Sequence, residues 1–174
     1  MTTTELWGPE LYGDPCLECG FDWSISSEEA MSLVAELPSR FSEVLEGFDG
    51  IQRHPELGWS AVGYVCHVTD NLRIWAERIA GARLSGVLEV AGYDQDLLAQ
   101  ARHYDEVALS GALWSLSSAA ELWLESVRAG LASHVVLNHA TRGRMTIADV
   151  AKANAHDGSH HVWDVRRIVD YSRY

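Results

Sequence analysis

The strongest constraint on the fold of this chain is a set of four long segments in which apolar residues recur with helical spacing. Three of these segments follow a residue suited to cap a helix, namely Ser26 or Ser27, Ser60 and Thr146. Thr146 and Asp149 also have the spacing of a capping box. The predicted helices run from Ser26 or Ser27 to about Gly47, from Ser60 to about Gly81 and from about Asp105 to Arg128, with Gly81 as the C-cap of the second and Gly130 as the stop of the third. The fourth runs from Thr146 to about Tyr171.

Two long connectors separate these helices. Residues 82–104 and 131–145 lack helical spacing, and within them only residues 135–137 have the character of a strand. Four long helices with such connectors predict an all-α four-helix bundle, in a topology that need not be simple up-and-down. We assign residues 1–25 to an N-terminal lead-in and residues 26–174 to the bundle.

The composition limits the classes of partner. The chain of 174 residues is 47% hydrophobic and has a net charge of −12. It is therefore expected to bury one sizeable core and to bind neither nucleic acid nor an anionic membrane, both of which require clustered Lys and Arg. A small molecule is the expected partner. The strongest basic cluster, Arg166 and Arg167 beside Arg142 and Arg144, could hold one anionic group. The sequence does not fix the oligomeric state, and a homodimer is compatible with it.

The start of the sequence bears on the compartment. Residues 1–5 lack the basic region and the apolar core of a signal peptide, and no apolar run approaches membrane-spanning length. The three cysteines are an odd number, which argues against a disulfide framework. The expected location is the cytoplasm.

Three histidines form the principal candidate site. His156 and His160 are one helical turn apart and therefore project from the same face of the last predicted helix. His67 lies in the second predicted helix, which could pack alongside. Such a trio of imidazoles can bind one divalent ion and leave a coordination position open. His161 is displaced from that face by roughly 100° and is not expected to bind the same ion.

Two carboxylates are candidate catalytic residues. Asp70 lies about one helical turn after His67, and Asp164 lies one turn after His160. A carboxylate so placed can accept the free ring N–H of a metal-binding histidine or act as a general base in a hydrolase. We therefore assign both of these roles to Asp70 and Asp164.

Further side chains are candidates for binding a substrate or a cofactor. Arg166, Tyr93 and Trp163 lie near the histidine motifs or in the long connector, where they could contact a small molecule. Cys66 adjoins His67 but points about 100° away from it on a helix. We interpret Cys66 as a core residue rather than a nucleophile.

The lead-in contains a possible second metal site. Cys16 and Cys19 stand in the sequence Pro-Cys-Leu-Glu-Cys-Gly, which has the shape of a metal knuckle. A structural zinc ion usually takes four protein ligands, and the sequence has no second cysteine pair. The knuckle would have to borrow histidines such as His54 or His103. The alternative is that the two cysteines are simply a reduced pair.

Together these motifs resemble a known family. His67 in the second helix, His156 to His161 in the last helix with Trp163 and Asp164 after them, and the Cys-x-x-Cys-Gly-Phe-Asp lead-in are similar to the DinB/YfiT-like superfamily. Members of this superfamily are metal-binding four-helix bundles, and they include mycothiol- and bacillithiol-dependent transferases. The lead-in resembles that of one bacterial branch.

The resemblance implies a function. His67, His156 and His160 would bind a divalent ion, zinc or nickel, in an enzyme that transfers a low-molecular-weight thiol to a small hydrophobic electrophile. Such an ion deprotonates a coordinated thiol or lowers the pKa of a bound water to ~7. A metal-dependent hydrolase or a thiol-assisted isomerase is therefore an alternative. A non-catalytic metal- or ligand-binding stress protein is another.

Overall fold

The computed structural model describes residues 5–173, and most of these residues are helical. The first four residues, on which part of the expectation about a signal peptide rests, and residue 174 lie outside this range. The helices are α1 (Pro9–Tyr12), α2 (Ser27–Val44), α3 (Ala61–Ser85), α4 (Gln95–Ala101), α5 (Leu109–Ala132) and α6 (Ile147–Ser172), with a 3₁₀ turn at Tyr104–Glu106.

The four long helices α2, α3, α5 and α6 pack into a bundle. Helix α3 packs mainly against α5, and α2 packs against α6 and α5. The largest fully buried side chains come from all four of these helices, and they include Leu37, Leu72, Trp123 and Ile168. The predicted all-α four-helix bundle is therefore confirmed, with a small sheet added to it.

The capping residues explain where the helices begin. Ser26 and Glu29 form a reciprocal capping box at the start of α2, and Thr146 and Asp149 form another at the start of α6. The hydroxyl of Ser60 accepts a hydrogen bond from the backbone N–H of residue 63. Each side chain satisfies a backbone donor that the first helical turn leaves unpaired.

The predicted helix ends were wrong at two glycines. Helix α3 continues through Gly81 and ends at Gly86, whose φ of 72° is left-handed. Helix α5 continues through Gly130, where a Cβ atom would lie 2.8 Å from Ile79 and 3.1 Å from Ile147. Gly130 therefore marks a close helix contact rather than a helix stop. Helix α5 also begins later than predicted, at Leu109.

The two connectors form a three-stranded sheet of order β1-β2-β3. Strand β1 (Glu89–Val90) pairs in parallel with β2 (Val136–His139), which pairs antiparallel with β3 (Gly143–Thr146). Leu137 and Met145 are partners in the register of β2 and β3, and both are fully buried. The sheet therefore joins the connectors to the core and leads directly into α6.

The lead-in packs onto the bundle. Cys16, Phe21 and Trp23 are buried as part of the core. The ammonium group of Lys152 on α6 donates a hydrogen bond to the carbonyl of Trp23 (3.1 Å). Among residues 5–173, no helix has both the length and the apolar character needed to cross a membrane.

Candidate functional site

Helix α6 carries ligand-type side chains on two adjacent faces, and each face meets a different part of the chain. His156 and His160 lie with two lead-in residues, Cys16 and Cys19, and all four ligand atoms are within 4.8 Å of one another. We call this group the cysteine cluster. In the second group, which we call the aspartate cluster, His67 of α3 lies with Asp157 and His161, again within 4.8 Å.

This grouping differs from the expected trio of His67, His156 and His160. Residues 157 and 161 are also one turn apart, so they form a second stripe on α6 next to that of 156 and 160. The stripe of 157 and 161 faces α3 and meets His67, whereas the other stripe faces the lead-in. The spacing of Asp157 and His161 was the signal that could have identified this face.

The aspartate cluster has distances suited to a shared ion. Asp157 Oδ1 lies 3.6 Å from His67 Nε2 and 3.6 Å from His161 Nε2. Two N or O ligands of a tetrahedral zinc ion are about 3.4 Å apart, given bonds of about 2.0–2.1 Å. His67 Nε2 is buried and has no hydrogen-bond partner among the described residues. A divalent ion between these atoms would satisfy it.

Neighbouring groups fix the orientation of two of these ligands. His161 Nδ1 lies 2.9 Å from Asp164 Oδ2, and because a carboxylate only accepts, this nitrogen carries the proton. His161 Nε2 is thereby left free to bind an ion. The Asn71 side-chain amide donates to Asp157 Oδ2 at 2.7 Å, which leaves Oδ1 directed at the two imidazoles.

The charges of the aspartate cluster are strongly coupled. Burial would raise the pKa of Asp157, but the imidazoles of His67 and His161 outweigh it and hold this pKa well below its ordinary value. Burial would lower the pKa of His161, but the carboxylates of Asp157 and Asp164 raise it. The carboxylates therefore favour a positive charge, whether a proton or a cation, between these side chains.

The cysteine cluster has the opposite electrostatic character. Burial, aided by the charge of His160, lowers the pKa of His156 to about 4. Burial also lowers the pKa of His160. His156 is therefore a neutral imidazole at pH 7, the form that binds metal.

A cavity of about 310 Å³ opens onto the aspartate cluster. Its lining includes His67 and Asp157, together with Arg78, Arg142 and Tyr93. A neighbouring groove of about 830 Å³ is mainly apolar and shares Arg78 and Tyr93 with this cavity. A small molecule therefore has room beside His67 and Asp157.

The predicted catalytic carboxylates have different surroundings. Asp70 is buried and accepts hydrogen bonds from the hydroxyl of Tyr104 (2.5 Å) and from Arg102, so both of its oxygens are already used. Asp164 is the acceptor that orients His161. The sequence predicts that Asp164 accepts from His160 instead, but Asp164 Oδ2 lies 4.0 Å from His160 Nε2.

The predicted binding residues lie in two different places. Tyr93 lines the cavity at the aspartate cluster, and burial raises its pKa to about 12. Trp163 and Arg166 line a separate depression with Cys19 and Arg40, outside that cavity. Of the basic residues noted in the sequence, Arg142 lines the cavity, and no contact of Arg166 with the aspartate cluster is found among the described residues.

Gly158 lies between the ligands on α6 and serves helix packing. A Cβ atom at this position would lie 2.4 Å from a terminal methyl group of Leu37 on α2. The glycine therefore lets α2 and α6 approach closely at the level of both clusters.

No protein-family model matches this sequence, and the sequences of curated proteins give no match. The fold is similar to that of YfiT from Bacillus subtilis, described as a probable metal-dependent hydrolase with an unusual four-helix bundle topology. The TM-score is 0.72 over 86% of this chain and 90% of that chain, at 16% sequence identity. The resemblance deduced from short sequence motifs is thus confirmed for the fold.

Proposed function

We propose that this protein is a metal-dependent hydrolase of small molecules and that His67, Asp157 and His161 hold its divalent ion. The observation that carries the proposal is the buried Nε2 of His67, which no group in residues 5–173 hydrogen-bonds and which lies 3.6 Å from the Asp157 carboxylate at the edge of a cavity. The description of YfiT as a probable metal-dependent hydrolase supports the same reaction class. We propose zinc as the ion because imidazole and carboxylate are among its usual ligands.

The ligand set supports hydrolysis. Two histidines and one carboxylate form the donor set of several zinc hydrolases, and they leave a coordination position for substrate or water. The ion supplies Lewis-acid chemistry and lowers the pKa of water at that position. The protein supplies the orientation: Asp164 fixes the ring of His161, and Asn71 fixes the carboxylate of Asp157.

The cavity supports a substrate that carries an anionic group. Arg142 Nε is buried without a hydrogen-bond partner among the described residues, and Arg78 lies over the rings of Trp75 (4.7 Å) and Tyr93 (5.8 Å). Among the described ion pairs, neither arginine has a carboxylate partner within 4.0 Å. The Tyr93 hydroxyl stays protonated at neutral pH and can donate to the substrate. A carboxylate or phosphate group therefore fits this corner.

Thiol transfer is the second candidate. It is favoured by the space available, because the cavity adjoins the apolar groove at Arg78 and Tyr93, so a thiol and a hydrophobic electrophile could lie side by side. A thiol-assisted isomerase would use the same space. The free cysteines of this chain fit a reducing compartment such as the cytoplasm, where such thiols are kept reduced.

The decisive experiment assays zinc-loaded protein against small carboxylate-bearing esters and amides, with and without added thiol. Hydrolysis is expected without thiol, and it should be lost in His67→Ala together with the metal of the aspartate cluster. A matched control is His103→Asn, because His103 is exposed, has a left-handed φ of 51° that Asn tolerates, and lies outside the cavity.

Two other outcomes identify the alternatives. Turnover that requires a thiol would assign the protein to the transferases or isomerases. A zinc-loaded protein that binds small carboxylates without any turnover would point to a non-catalytic ligand-binding bundle. Full hydrolysis by His67→Ala would overturn the assignment of the aspartate cluster.

A further inference from the structure

We infer that Cys16, Cys19, His156 and His160 bind a structural zinc ion that fastens the N-terminal lead-in to α6. This inference does not depend on the proposed hydrolase activity, because the cysteine cluster shares no ligand with the aspartate cluster. Both cysteines are free thiols, and all four ligand atoms are within 4.8 Å of one another.

The backbone of the lead-in is folded so as to present both thiols. The N–H of Gly20 donates to the carbonyl of Cys16 (2.9 Å), and the N–H of Cys16 donates to the carbonyl of Phe21 (2.8 Å). Gly20 has a φ of 73°, which lets the chain turn directly after Cys19. This tight turn brings Cys16 and Cys19 to the same ligand group.

The surroundings of His156 favour a bound ion. Its ring lies 4.5 Å from that of Tyr12, 4.6 Å from that of Trp23 and 5.3 Å from that of Phe21, and the residue is only 4% exposed. His156 Nε2 is buried and has no hydrogen-bond partner among the described residues. Leaving a buried polar atom unsatisfied is costly, since its interaction with water is lost and not replaced. Coordination to zinc would satisfy this nitrogen and both neighbouring thiols at once.

The orientation of His160 fits the same ion. His160 Nε2 lies 3.4 Å from Glu18 Oε2, and because a carboxylate can only accept, this placement favours the proton on Nε2. Nδ1 is then free, and it lies 3.9 Å from Cys16 Sγ. A tetrahedral zinc ion with Zn–S and Zn–N bonds of usual length holds two such atoms about 3.6 Å apart. Histidine ligands of zinc usually donate their other N–H to an acceptor in this way.

The donor count assigns a structural role to this ion. Two cysteines and two histidines fill all four positions of tetrahedral zinc, so no position is left for a substrate. The lead-in otherwise has only a single helical turn, α1, among its described residues. Tyr12 and Trp23, which pack on His156, also line the cavity at the aspartate cluster. The zinc clamp would therefore hold one wall of that cavity in place.

Cobalt substitution of the full-length protein tests this inference. Co²⁺ bound by the cysteine cluster is expected to give a near-ultraviolet thiolate-to-cobalt charge-transfer band in wild-type protein. Cys19→Ser should lose this band and one equivalent of zinc. His67→Ala should keep the band while losing the other equivalent. Cys66→Ala is the matched cysteine control, and it should keep the band and both equivalents.

Reactivity of the wild-type thiols gives a second readout that needs no variant. Cys16 and Cys19 should resist alkylation in zinc-loaded protein and become reactive when a chelator removes the ion, because the lead-in that carries them is then no longer fastened to α6. A cobalt protein without a thiolate band, a band unaffected by Cys19→Ser, or thiols equally reactive with and without zinc would each overturn the inference. Loss of hydrolysis alone would not affect it.

Discussion

Two faces of one helical turn in α6 illustrate how the same residue types can serve different purposes. The cysteine cluster surrounds its histidines with aromatic rings and offers four protein donors. The aspartate cluster offers three donors at the edge of a cavity. Because His156 of the cysteine cluster also lines this cavity, the number of protein donors, rather than the presence of histidine or access to the cavity, distinguishes a structural from a reactive metal site.

The largest effect on metal binding and turnover is expected when the adjacent histidines His160 and His161 are each replaced by alanine in separate variants. His161→Ala should remove the ion of the aspartate cluster and lower turnover more than 100-fold, since loss of a ligand costs more than the 10–100-fold loss typical of a partner that only orients a ligand. His160→Ala should remove the thiolate-to-cobalt band instead. Metal analysis, cobalt spectra and turnover of both variants measure the difference. Identical metal loss in both variants would contradict the separation of the two faces.

The carboxylates next to these histidines, Asp164 and Glu18, are expected to have smaller effects on metal affinity. Asp164 orients His161 and is buried, so Asp164→Asn should weaken metal binding at the aspartate cluster about 10–100-fold. Glu18 lies 3.4 Å from His160 Nε2, but its side chain is 58% exposed, so Glu18→Gln should have a smaller effect on the cysteine cluster. Competition titration with a chromophoric chelator measures both affinities. A larger loss of metal affinity in Glu18→Gln than in Asp164→Asn would contradict the expectation that the buried carboxylate contributes more than the exposed one.

Gly158 tests whether both faces depend on the packing of α6 against α2. Gly158→Ala should lower the free energy of unfolding by about 1–2 kcal/mol, because overpacking against buried Leu37 exceeds the gain of about 1 kcal/mol in helix propensity. Gly111→Ala on α5 is the matched control, with nothing within 4 Å of the added Cβ, and should stabilise the protein. Denaturant unfolding of zinc-loaded protein measures both. A stabilised Gly158→Ala would refute the packing role.

The smallest effect is expected at the third cysteine. Cys66 lies in α3 beside His67 but is buried, and burial raises the pKa of its thiol to about 12. Alkylation followed by mass spectrometry should therefore leave Cys66 unmodified in folded protein, with or without the chelator. Modification of Cys66 before Cys16 and Cys19 would contradict this interpretation.

The sequence predicted the starts of the helices better than their ends. Ser26, Ser60 and Thr146 act locally through caps, so their effect can be read from a few neighbouring residues. The sequence predicts helix ends at Gly81 and Gly130, but whether a glycine ends a helix or relieves a contact depends on residues far away in the chain, such as Ile79 and Ile147 for Gly130. The strands are short and depend on pairing between the two connectors.

The candidate site was only partly predictable, because it too depends on contacts between residues that are far apart in the chain. Helical spacing correctly placed His156 and His160 together. It could not reveal that the lead-in covers their face, which brings Cys16 and Cys19 to them instead of His67. His67 lies with Asp157 and His161, whose equivalent spacing does not stand out as a histidine pair because only one of the two is a histidine.

A crystal structure of the zinc-loaded protein, with anomalous diffraction measured across the zinc absorption edge, tests the central claim most directly. Two separate zinc peaks are predicted, one bonded to Cys16, Cys19, His156 and His160, and the other bonded to His67, Asp157 and His161. A single zinc ion bonded to His67, His156 and His160, or no zinc at either cluster, would contradict the account.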